Sequence, residues 1–162
     1  MLNLILASSI ENLKIASLED GIKIADVDKV LIDPENGKFI GLTIIKFLSK
    51  KNKIISSRDI LSIDKEGVVT NSQKDIVDID EIAGTKETLK NPLLGCKVRI
   101  NKNYIGKVID VSLSLETMSA VNIYVRSVFK ERIVPISRID KYDKKSHTLI
   151  LKGDNFAEAS VV

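Results

Sequence analysis

The chain contains one pattern twice. The segment that begins Ile24-Ala25-Asp26-Val27 and ends at Ile44 aligns without a gap on the segment that begins Ile105-Gly106-Lys107-Val108 and ends at Val125, at an offset of 81. Val27 meets Val108, Val30 meets Val111 and Ile32 meets Leu113; the register continues through Ile40 with Val121, Leu42 with Ile123 and Ile44 with Val125. Farther on, Lys53-Ile54-Ile55-Ser56 recurs as Arg132-Ile133-Val134-Pro135, and Ile60–Asp64 as Ile139–Asp143. An apolar pattern held in register over this distance specifies the same packing twice, so it predicts two copies of one structural unit. The copies share their core pattern and no set of reactive side chains.

A length of 162 residues fits two small units. Their expected extents are 1–79 and 93–162, with a linker over 80–92. Units this small lie near the lower edge of what buries a self-sufficient core, so the two are expected to lean on each other. Hydrophobic residues at 44% and charged residues at 29% give the balance of a globular chain rather than a disordered one. Aromatics are 4% with no Trp, so aliphatic side chains must fill the core, and Ile, Val and Leu favour half-buried strands.

Cys96 is the one cysteine, which allows no intrachain disulfide and fits a reducing compartment. The opening Met1–Ala7 is apolar but lacks a basic stretch before it and falls far short of the ~20 residues that span a bilayer. It reads as a first strand or arm. The expected location is cytoplasmic, without membrane insertion. The net charge of +3 is unevenly spread: residues 1–80 carry 11 basic and 13 acidic side chains, and residues 81–162 carry 14 and 9. The second half is therefore the one that would steer an acidic partner.

Period-two alternation dominates both copies. Val121, Ile123 and Val125 alternate with Asn122, Tyr124 and Arg126, as expected of a strand with one face in a core. In the first copy Ile40, Leu42 and Ile44 take the inner face, and Phe39, Gly41, Thr43, Ile45 and Phe47 the other. That second face is too apolar for simple solvent exposure and predicts a cover, either the other copy or a partner. In the preceding strand Val27 lies three residues before Val30, and Val108 three before Val111. A three-residue step inside a strand is the mark of a β-bulge, which bends it. Asp33-Pro34-Glu35-Asn36-Gly37 is a strong turn sequence, whereas Ser114–Met118 occupies the matching place with neither Pro nor Gly. Each copy reads as five or six short strands joined by tight turns, which predicts an all-β barrel.

Between the copies, Ile76, Ile79 and Ile82 fall at helical spacing within an acidic stretch, and both a helix and an extended arm remain open there. Ala83-Gly84-Thr85 reads as a hinge and Lys86–Lys90 as one helical turn, ended by Asn91-Pro92. The tail from Asn155 to Val162 has no repeat equivalent and is expected to fray.

The stretch from Gly21 to Leu42, with Lys53-Ile54-Ile55-Ser56 and Asp59-Ile60, resembles a PRC-barrel domain. So does the second copy at Leu94-Gly95-Cys96-Lys97-Val98 and Tyr104–Val111. It departs from the usual pattern at Leu115–Met118, where a turn glycine is expected. The resemblance covers nearly the whole chain as two tandem units, and implies two tandem small β-barrels related by internal duplication. The family includes the cytoplasmic domain of the photosynthetic reaction-centre H subunit and the C-terminal domain of a bacterial small-subunit maturation factor. It rests on a strand–turn–strand pattern rather than on reactive side chains.

A search for chemistry returns little. His147 is the only histidine and reads as an exposed strand-edge residue; a zinc site would need more His or Cys ligands. Cys96, in an apolar run, reads as a small buried side chain. Asp26-x-Asp28 lacks the glycine and glutamate of a calcium loop, and no glycine-rich phosphate loop follows a strand. These absences lead to the expectation of a non-enzyme without catalytic, metal or cofactor residues. Phe39, Ile45, Phe47 and Tyr124 are the candidates for a protein-interaction or inter-barrel contact. Arg126, Lys130, Arg132, Arg138, Lys144 and Lys145 form a candidate basic patch. The expected function is a protein-binding adaptor; the alternative is an RNA- or ribosome-associated assembly factor that uses the basic second copy.

Overall fold

The computed structural model describes residues 3–45, 52–153 and 159–161. Strand β1 (Leu4–Leu6) and the helical turn α1 (Ala7–Ile10) lead into β2 (Lys14–Ser17), β3 (Ile22–Ile32), β4 (Phe39–Ile45), β5 (Lys53–Ser56), β6 (Ile60–Asp64), β7 (Gly67–Thr70) and β8 (Ile76–Asp78). After α2 (Thr85–Lys90) come β9 (Lys97–Ile100), β10 (Asn103–Ser114), β11 (Ser119–Arg126) and β12 (Glu131–Pro135). The chain then adds β13 (Ile139–Asp143), β14 (Thr148–Leu151) and β15 (Ala159–Val161). The protein is mostly β, as expected.

The strands form two curled sheets. The first has the order β6-β7-β2-β3-β4-β5-β8 and the second β13-β14-β9-β10-β11-β12-β15, the same order position for position. In each, one pair is parallel, β2 with β7 and β9 with β14, and the other pairs are antiparallel. Single-turn 3₁₀ helices at Ser57–Asp59 and Ile136–Arg138 precede β6 and β13 at matching points. Each sheet has more strands than the alternation suggests, because β8 and β15 add to β5 and β12. Ile76–Asp78 is thus strand, followed by a 3₁₀ turn at Ile79–Glu81. The tail is not simply frayed, since Ala159–Val161 pairs with Glu131–Ile133. Two central strands, β3 and β10, are also long rather than short, at 11 and 12 residues.

The bulges fall at equivalent places. The register of β3 on β4 shifts between Val27 and Lys29, and that of β10 on β11 between Val108 and Asp110, as the three-residue steps predict. A second pair of shifts was not foreseen. Ile32 stands opposite Phe39 while Leu31 stands opposite Gly41, which leaves Ile40 as the extra residue; Val121 is the extra residue in the same way between Asn122 and Ala120. One inserted residue reverses the alternation of side chains. Phe39 and Ala120 therefore turn into the core beside Leu42, Ile44, Ile123 and Val125, and Ile40 and Val121 are only half-buried. This corrects the expectation that Ile40 and Val121 lie on the inner face and Phe39 on the other.

The turns that follow β3 and β10 join the halves. Gly37 has φ +71° and Met118, at the matching position, φ +51°. A left-handed conformation suits glycine and is uncommon for methionine, which is why the second turn carries no sequence signature. The Phe39 N–H donates to the Met118 carbonyl at 2.9 Å and the Ala120 N–H to the Gly37 carbonyl at 2.8 Å. A single antiparallel bridge pairs Lys38 with Ser119 between them. Residue i of one half thus bonds residue j of the other and the reverse, as across a two-fold contact.

Further links cross between the halves. Strand β1 pairs antiparallel with β10 in the second sheet, Leu4 opposite Ser114 and Leu6 opposite Ser112. Gly84, φ +80°, opens α2, and just beyond that helix the Leu93 N–H donates to the Ile32 carbonyl at 3.1 Å. The buried side chains form one connected cluster drawn from both halves.

Candidate binding surfaces

The bulge at Ile40 separates residues that simple alternation puts together. Phe39 is buried where the two turns meet, while Ile45, opposite Asp26 at the end of β4, is 49% exposed. Tyr124 is half-buried, opposite Asp110 and Ile133. Phe47 lies outside the described residues.

Ile45 has company. Leu18 follows β2, Ile22 opens β3, and Leu61 is the residue skipped where the register of β6 on β7 shifts. The Leu18 N–H donates to the Thr70 carbonyl, which ties the ends of β2 and β7 together. Strand directions therefore bring Leu18, Ile22 and Leu61 to one end of the first sheet, and Ile45 lies four residues in from Ile22, each between 49% and 65% exposed. Charges of both signs flank them, among them the Lys23–Asp26 ion pair at 2.9 Å.

The matching end of the second sheet is built from the β9–β10 and β11–β12 hairpins. The turn at Ser127–Lys130 is closed by the Ser127 N–H on the Lys130 carbonyl at 2.8 Å. Its apex is Val128 and Phe129, 89% and 94% exposed. Gly106, φ +140°, lets β10 pass close beneath: a Cβ there would sit 2.4 Å from the Arg126 carbonyl oxygen. Arg132 donates to the Ile105 carbonyl at 3.1 Å, and Arg126 pairs with Glu131. Side chains directly opposite one another share a face, so Lys97, Lys107, Arg126 and Glu131 make a row across four strands. Arg138 belongs to this end as well, because its carbonyl accepts the Lys152 N–H just past β14.

The six basic candidates are thus divided. Arg126, Lys130, Arg132 and Arg138 gather at the hairpin end. Lys144 and Lys145 sit in the β13–β14 turn at the other end of β14, where the Lys144 ammonium lies 3.5 Å from Glu87 of α2. A cleft of about 280 Å³ opens beside that turn, lined by Asp33, Glu35, Glu87, Lys90, Tyr142 and Lys144 among others.

One cluster escaped the sequence reading. His147 is not an exposed edge residue; it is half-buried with φ +51°. Its ring lies 3.4 Å through Nδ1 and 3.5 Å through Nε2 from the Cys96 sulfur, and the Tyr142 hydroxyl is 2.8 Å from Nδ1. The parallel pairing of Thr148 with Lys97 brings these groups together, and a separation of 51 positions hides the contact from any local motif. Cys96 is fully buried, and that burial pushes its thiol up to about 12. Burial also lowers the His147 pKa, with Lys97 adding to the effect and a hydrogen bond to the Pro92 carbonyl opposing it. Near neutral pH this leaves a thiol that is not a nucleophile beside a neutral imidazole. The arrangement packs β9, β13 and β14 together.

No group of His, Cys, Asp and Glu among the described residues is placed to hold a metal ion. No helix among them is long and apolar enough to cross a membrane. Neither the comparison with protein-family models nor that with curated proteins gave a match for this chain.

Proposed function

We propose that this chain is a non-enzymatic adaptor, built of two PRC-barrel-like units related by internal duplication, that holds a protein partner in the cytoplasm. The observation that carries this reading is the apolar end of the first sheet. Leu18, Ile22, Ile45 and Leu61 are exposed toward the same end of the first sheet, with Leu18, Ile22 and Leu61 at the end itself and Ile45 four residues in from Ile22. Scattered surface aliphatics need no explanation, but a group at one sheet end rimmed by mixed charges has the composition of an interface. The matched strand order and bulge positions of the two sheets support the duplication. The fully buried Cys96 thiol, its pKa pushed up to about 12, supports a binding rather than a catalytic role.

The test is affinity capture from native lysate with and without nuclease, comparing Ile45→Asp/Leu61→Asp with Arg132→Glu/Arg138→Glu. The aliphatic variant should remain folded and lose its partner by about tenfold or more, the effect of removing anchors at an interface centre. The charge reversals should slow association and leave most of the affinity. If the aliphatic variant binds normally and the charge reversals abolish a nuclease-sensitive complex, the RNA-associated reading replaces this one.

A further inference from the structure

From the hairpin end of the second sheet we infer a peripheral docking site for an anionic lipid bilayer, with Val128 and Phe129 as the side chains that enter the interface. This goes beyond the adaptor reading and does not depend on it. Two neighbouring apolar side chains stand almost fully exposed at the apex of a turn. An apex is convex. It cannot cup a partner's side chain, but it can press into a soft surface, where apolar groups leave water. Tyr104, 59% exposed, is brought to the same end by the β9–β10 hairpin, and its amphipathic ring suits the headgroup level.

The charges are placed to match. Arg126, ion-paired with Glu131, and Lys130 flank the apex, Lys102 lies in the neighbouring turn, and Lys107 stands opposite Arg126, so the basic side chains outnumber the one carboxylate there. Long basic side chains set behind an apolar tip reach lipid phosphates while the tip is buried. RNA fits less well. Stacking on bases needs aromatic faces arranged as a platform, and Val128, the apex partner of Phe129, has no such face.

The chain has no Trp, so Phe129→Trp provides a single reporter. The full chain would be sedimented with vesicles of phosphatidylcholine plus phosphatidylglycerol, with vesicles of phosphatidylcholine alone, and titrated with an oligoribonucleotide. Binding to the anionic vesicles should exceed binding to the neutral ones by about tenfold or more, as expected for several basic side chains near a charged surface. The Trp emission should move to the blue on anionic vesicles only. Val128→Ser/Phe129→Ser, checked for an unchanged circular dichroism spectrum, should lose most of the vesicle binding. Equal binding to both vesicles, binding unaffected by the double variant, or Trp emission that responds to RNA and not to vesicles would each overturn the inference.

Discussion

The corresponding ends of the two sheets differ in what they expose. In the first half Leu18, Ile22, Ile45 and Leu61 lie among charges of both signs. In the second, the apolar residues Val128 and Phe129 are carried out on a turn, and Lys and Arg line the strands behind it. The buried geometry, by contrast, is held to the residue: the bulges fall at Asp28 and Ile109, and again at Ile40 and Val121. The contrast has a physical basis. A bulge decides which side chains of a whole strand reach the core, so moving it by one position would expose the core. The end of a strand turns nothing else over when it changes, and so it is where two sheets of the same strand order can differ most freely.

The largest expected departure between the halves is at the joint. Phe39 and Ala120 occupy matching positions and make the reciprocal backbone bonds, but only Phe39 fills volume. Phe39→Ala should cost about 3–5 kcal/mol in urea unfolding, through lost burial and the cavity left behind. Ala120→Gly should cost about 0.5–1 kcal/mol. Comparable losses from the two would show that the joint is not anchored by the phenyl ring.

A smaller difference is expected two residues along each strand. Gly41 lies where a Cβ would come 2.3 Å from the Ile55 carbonyl oxygen, whereas the matching residue is Asn122. Gly41→Asn should destabilise by about 1–3 kcal/mol, the usual range for overpacking. Asn122→Gly should stay within about 1 kcal/mol. If both substitutions are mild in urea, β4 and β5 approach no more closely than β11 and β12.

The smallest effect concerns acid, and only the second half has a histidine. The folded state holds the His147 pKa below its ordinary value, chiefly by burial. Below about pH 6.5 the unfolded chain takes up this proton more readily than the folded one. The stabilisation is therefore complete above that pH and is lost as pH falls toward the folded value. His147→Asn keeps a side chain that tolerates the left-handed backbone and should flatten stability between about pH 7 and 5. An unchanged slope in unfolding midpoints would remove His147 from the acid response.

Periodicity and the repeat were enough to read the β class, the first pair of bulges and the helical turn before Asn91-Pro92. The second bulges were hidden because Phe39-Ile40 and Ala120-Val121 are adjacent apolar residues, and alternation cannot tell which of two such neighbours faces inward. Strands β8 and β15 were missed because three residues are too few to show a period. The turn at Met118 could be placed only by alignment with the first copy, because its left-handed backbone is carried by a methionine rather than a glycine. Arg126 and Lys144 belong to one basic stretch of the sequence, but the path of β14 sends them to opposite ends of the sheet. The exposure of Val128 and Phe129 could not be read at all, since apolar residues in a turn are equally consistent with burial.

The pairing of β1 with β10 places the order of synthesis against the order of assembly. Leu4–Leu6 leave the ribosome well before their strand partner Ser112–Ser114, and Ser8 bonds an aspartate 102 positions downstream. Contacts this distant in sequence form slowly, because a long loop must close before they stabilise anything. Residues 14–78 can complete their own sheet while this leading segment waits with an open hydrogen-bonding edge. During translation the nascent chain therefore exposes an unpaired apolar strand until Ser114 has emerged, and that interval is when a chaperone would be needed most.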